Sequence, residues 1–119
     1  MDKIFLFNEN SVCTNPNIPV SWIGDNTSMG CDFKVFTAYT SRGWIGGFSF
    51  HIGKYNGYSC CDRDSNILYA TQKETIYKAL VNIEKFALAK AKGKARKELL
   101  SEIRKYINMY DIRQLELFN

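Results

Sequence analysis

Between residues 33 and 52 the chain alternates with a period of two, and after residue 71 the period changes to that of a helix. Phe33, Val35, Thr37 and Tyr39 interleave with Lys34, Phe36, Ala38 and Thr40, a strand pattern with aromatic residues on both sides. Ser41-Arg42-Gly43 reads as a turn. In the strand that follows, Trp44, Phe48, Phe50 and Ile52 share one face, and Ile45, Gly47, Ser49 and His51 share the other. Gly46 and Gly47 leave a strip without side chains, which predicts a bulge or the close approach of another backbone. Tyr55-Asn56-Gly57-Tyr58 carries a hairpin signal, because Asn-Gly supplies the positive φ angles of a type I′ turn. The chain should return through Tyr58-Ser59-Cys60-Cys61, pass a polar loop at residues 62–66, and close with a short strand at Ile67-Leu68-Tyr69-Ala70. The expectation is an antiparallel meander of three or four strands.

Thr71-Gln72-Lys73-Glu74 has the form of a capping box, in which hydroxyl and carboxylate each satisfy the other residue's amide. Ile76, Leu80, Ile83 and Ala87 then recur at helical spacing, widened by Ala79 and Phe86, and this stripe should lie on the sheet. Gly93 is a weak point for a helix. Beyond it Leu99, Leu100, Ile103, Ile107 and Tyr110 form a second stripe. Two helices are predicted, over 72–91 and 95–110, with one long helix as the alternative. The fold class is α+β: an antiparallel three- to four-stranded meander with two C-terminal helices, the first packed on the sheet.

The first 32 residues are rich in Asn, Pro and Gly and keep no period, so they read as a loop-rich segment that is either a binding surface or a packed arm. Within them Ile4–Phe7 and Val20–Ile23 are candidate short strands. The 119 residues fit one domain, divided into a loop-rich segment (1–32), a sheet (33–70), helices (71–110) and a tail (111–119).

Composition changes this picture in three ways. A hydrophobic content of 45% is enough for a core and excludes wholesale disorder. No stretch approaches the ~20 apolar residues of a membrane span. Residues 1–8 turn polar too soon for a signal peptide, so the expected location is the cytoplasm, with no membrane partner. Charge is uneven. Residues 1–65 have five basic and six acidic side chains, and residues 66–119 have eleven and six, which yields the overall net charge of +4. Lys90, Lys92, Lys94, Arg96 and Lys97 crowd into eight positions and are candidate phosphate contacts, the alternative being a solvated helix face.

Candidate catalytic chemistry is sparse. His51 is the one histidine, with Ser49 on the same predicted strand face; Asp62 and Asp64 read as turn residues. P-loop, dinucleotide-binding and zincin motifs are absent from the sequence. Cys13, Cys31, Cys60 and Cys61 include no C-x-x-C pair, and adjacent Cys60 and Cys61 on a strand would point to opposite faces, so buried reduced thiols are expected and no metal or cofactor. No enzymatic activity is expected. The aromatics Phe48, Phe50, Tyr55 and Tyr58 have two readings, core under a helix or a stacking platform for unpaired bases.

The C-terminal segment Gln114-Leu115-Glu116-Leu117-Phe118 resembles the pentapeptide by which bacterial polymerases and repair proteins bind the sliding clamp, matching its four defining positions. The resemblance implies that Leu117 and Phe118 fill an apolar pocket on the clamp, that Leu115 takes a shallower site, and that the Gln114 amide bonds backbone at the rim. A terminal position would let the segment enter a groove without threading. Against this, Ile112, Leu115 and Phe118 are spaced by three and could extend the last helix. Separately, residues 33–90 loosely resemble, in element order alone, the three-stranded DNA-binding domains of phage-type integrases. The leading expectation is a small non-enzymatic accessory protein of DNA metabolism, of phage or mobile-element type, tethered to the sliding clamp and touching DNA. The alternatives are a protein–protein inhibitor or adaptor, and a sheet-and-helix DNA-binding module.

Overall fold

The computed structural model describes residues 3–24 and 30–111. In these, strands Asn17–Ile23 (β1), Asp32–Thr40 (β2), Gly43–Ile52 (β3) and Tyr55–Ser59 (β4) form one antiparallel sheet in the order β1-β2-β3-β4. Helices Gln72–Lys90 (α1) and Gly93–Tyr110 (α2) follow. The class is α+β, with α1 packed on the sheet. No helix among the described residues is long and apolar enough to cross a membrane.

Strand alternation produces the two faces. On the helix side, Val20, Phe33, Val35, Phe50 and Ile52 meet Ile76, Leu80 and Ile83 of α1 and Leu99 and Ile103 of α2 in the main core. Each such side chain stabilises the fold by about 1.5–3 kcal/mol when fully buried. Phe48 and Phe50 stack at 6.1 Å and sit under Phe86 of α1, so the core reading holds for these two aromatics. On the opposite face a smaller cluster joins Cys13, Ala38, Ile45 and Cys61, with Phe5, Phe7 and Leu68 packed against it.

The N-terminal segment is thus a packed arm over half of that second face. Its chain doubles back, with Thr14 N–H donating to the Leu6 carbonyl at 2.8 Å, and docks on the 62–64 loop through Ser11 Oγ, 2.7 Å from Asp64 Oδ2. Its later part is β1, an edge strand whose register slips between Asn17 and Val20, around Pro19. An edge tolerates a residue that has no amide to donate.

Three sequence expectations are corrected. The β3–β4 turn is Gly53-Lys54, not Asn56-Gly57: Ile52 pairs with Tyr55, and Gly53 takes φ +62°. A turn at Asn56-Gly57 would pair Tyr55 with Tyr58 and set Arg63 opposite buried Phe50. The observed register instead puts Gly57 opposite Phe50, and the ring occupies the space that a Gly57 side chain would need. Residues 67–70 form no strand; Tyr69 alone bridges to Trp44. Ile4–Phe7 likewise contributes a single bridge, Phe7 to Cys13. The sheet therefore spans residues 17–59 rather than 33–70. The two helices begin and end within two residues of the predicted limits, and the link at Ala91-Lys92 removes the single-helix alternative.

The glycine strip brings two different elements close. Thr75 of α1 lies over Gly46, where a Cβ would come within 2.7 Å of its Cγ2. The backbone of residues 59–61 crosses the other side at Gly47. No bulge forms there, since the β2–β3 register runs unbroken from Asp32 to Thr40.

Candidate nucleic-acid interface

The basic cluster folds into a corner. Lys90 ends α1, Lys92 is the N-cap of α2, and Lys94, Arg96 and Lys97 lie in its first turns. Gly93, at φ +66°, allows the chain to reverse between the two helices. Ala91 turns inward to the core, 4% exposed, while all five cations are exposed. Arg104 Nε, 3.0 Å from Glu84 Oε2, ties the helices together behind the corner.

A sixth cation joins from the sheet. Lys54, in the β3–β4 turn, lies 5.8 Å from the centre of the Tyr55 ring, and Lys90 covers the same ring at 4.8 Å. Nothing in the local sequence connects Lys54 with Lys90, since only the corrected turn brings them to one ring. Among the described residues, none of these six cations is in an ion pair. The start of α2 has no acidic residue in its first turn and no side-chain cap on its amides. Cations beside uncapped helix amides repel the helix dipole, a cost that a bound anion would offset.

The uncovered half of the second sheet face lies around the same turn. Its cross-strand rows are Ser21–Lys34–Ser49–Tyr58 and Ile23–Asp32–His51–Asn56. Tyr58 is 69% exposed, with its ring 6.3 Å from Phe36. His51 Nδ1 sits 2.9 Å from Asp32 Oδ1. Ser49 is on the same face, as its alternation predicts. The exposed His51 ring is not enclosed by other elements.

All four cysteines are free, and three are buried. Burial pushes the Cys61 thiol up to about 12, with smaller contributions from Cys13 and Cys60, and burial also raises Cys31. Cys60 is half-buried on the other side of the chain from Cys61. Gln114, Leu115, Leu117 and Phe118 lie outside the described residues. Comparison with protein-family models, with curated proteins and with solved structures finds no match to this chain.

Proposed function

We propose that this chain is a small non-enzymatic accessory protein of DNA metabolism in the cytoplasm, held at the bacterial sliding clamp by Gln114, Leu115, Leu117 and Phe118 and touching DNA with its basic corner. The observation that carries the reading is the convergence of Lys54, Lys90, Lys92, Lys94, Arg96 and Lys97 on one exposed corner from three segments, without ion-pair partners among the described residues. Cations in this arrangement neutralise phosphates and release counterions. The end of α2 is compatible with the clamp motif. Asp111 is already extended, at φ −68° and ψ 109°, so the helix does not run on through the residue that precedes Ile112. A few buried anchors then provide most of the energy of a short linear motif.

The test uses a peptide of residues 111–119 and the full chain. The peptide should bind a bacterial sliding clamp with a micromolar Kd, and Leu117→Ala with Phe118→Ala should abolish binding while leaving the Tm of the full chain unchanged. A double variant that melts several degrees lower, together with a peptide that does not bind, would make these residues part of the core and overturn the reading. A second reading, a DNA-binding module that uses the sheet, is favoured by the open row of Lys34, Ser49 and Tyr58. It predicts that Lys34→Ala and Tyr58→Ala weaken DNA binding more than changes at the corner do.

A further inference from the structure

Beside the main core the β-ladder has a gap one residue wide. Trp44 and Tyr69 exchange both backbone hydrogen bonds at 2.9 Å, and four residues further along β3 Phe48 pairs with Ser59. Gly46 lies between them on the same edge of β3. Antiparallel pairing alternates bonded and non-bonded positions, so the Gly46 amide and carbonyl point away from β2 and toward this edge. Among the described residues neither group has a partner there. They open into a cleft of about 300 Å³.

The cleft is a slot. Thr75 and Ala79 of α1 lie on one side of the sheet plane, and the chain from Ser59 to Asp62 crosses to the other. Gly46 has no side chain to block the approach to its own backbone. An added peptide strand does not fit, because Ser59 and Tyr69 already hold the ladder positions on either side. The complement is a unit that presents donor and acceptor together on one edge and is flat enough to lie in the sheet plane. The volume is at the small end for ligand pockets, which suits one ring system rather than several. At the rim, Asp62 is the one charged side chain among the described residues that line the slot, with Asn82 and Ser65 beside it. A carboxylate there accepts hydroxyl hydrogen bonds and repels phosphate.

We propose that this cleft binds an uncharged nucleobase or nucleoside, the heterocycle edge pairing with the amide and carbonyl of Gly46 and the sugar facing Asp62 and Asn82. The site is independent of the clamp and DNA reading. The experiment follows the backbone amide signals of the full chain, labelled with ¹⁵N-glycine, during titration with adenosine, cytidine, guanosine, uridine and adenosine monophosphate. At least one nucleoside should shift Gly46 saturably, and the monophosphate should bind at least tenfold more weakly than adenosine if adenosine is that ligand. Asn82→Phe, at an exposed helix position, should fill the rim and weaken binding at least tenfold while the other glycine signals keep their positions. N-acetylglycine methylamide serves as the mimic of a peptide main chain. Shifts with that mimic alone, no saturable shift with any nucleoside, or binding that survives Asn82→Phe would each overturn the proposal.

Discussion

Cys60 and Cys61 are neighbours in sequence and opposites in environment. Cys61 is 2% exposed and its Sγ donates to the Ile45 carbonyl at 3.9 Å, whereas Cys60 lines the Gly46 cleft. Thiolate chemistry needs both ionisation and access, so a native-state alkylating agent should modify Cys60 first and reach Cys13, Cys31 and Cys61 only on unfolding, as mass spectrometry of partially labelled protein would register. Equal labelling of all four would contradict the burial of Cys31 in the main core and of Cys13 and Cys61 on the second face. The raised Cys61 value also carries a pH dependence with a definite sign. The folded thiol stays protonated while the unfolded one ionises near 9.0, so its contribution is complete below that pH and is lost as pH rises toward about 12. Burial raises Cys31 and Tyr69 in the same direction. Tm should therefore fall on the alkaline side, and less steeply in Cys61→Ala; identical slopes would mean that this thiol does not report burial.

At the level of elements, α1 depends on one cap. The Thr71 hydroxyl accepts from the Glu74 amide at 3.1 Å, with Thr71 extended at φ −133°, while no return bond from Glu74 to the Thr71 amide is present among the described residues. Half of the predicted box is formed. Thr71→Ala should cost about 1 kcal/mol, measured by denaturant unfolding, while Glu74→Ala should cost less; an unchanged midpoint in Thr71→Ala would remove the cap. The helices were legible in the sequence because period, cap and Gly93 all point to the same boundaries. The β3–β4 turn was not, because Asn56-Gly57 is locally the stronger turn signal and only the pairing of Phe50 with Gly57 outweighs it. β1 was legible only as Val20–Ile23, since Asn17 and Pro19 obscure its start. The five clustered cations could be read directly as a group. Lys54 and the ladder gap could not, because both arise from the register of β4 and from the return of the chain at Tyr69, which no local pattern encodes.

For the whole molecule, the decisive quantity is how binding responds to salt. A corner of six exposed cations has a limited number of phosphate contacts, so its affinity for duplex DNA alone should be weak and should fall as salt rises, with a log–log slope of roughly −0.9 per phosphate neutralised. Lys92→Ala, Lys94→Ala and Arg96→Ala together should flatten that slope by up to about 2.7 if all three meet phosphates. These residues are exposed and make no ion pairs among the described residues, so the triple variant should keep its Tm, which separates lost contact from lost fold. A tether changes the outcome in a characteristic way. Attachment to a clamp already encircling DNA makes the second contact intramolecular, at an effective concentration that reaches millimolar for short flexible connections. The full chain should then remain on clamp-loaded DNA at salt concentrations that release it from naked DNA. Leu117→Ala with Phe118→Ala should erase that difference, and the triple corner variant should reduce retention without abolishing clamp binding. Equal salt sensitivity on loaded and naked DNA would leave the corner and the motif without a common task. Absence of any DNA retention at the lowest salt would leave the six cations as a solvated face.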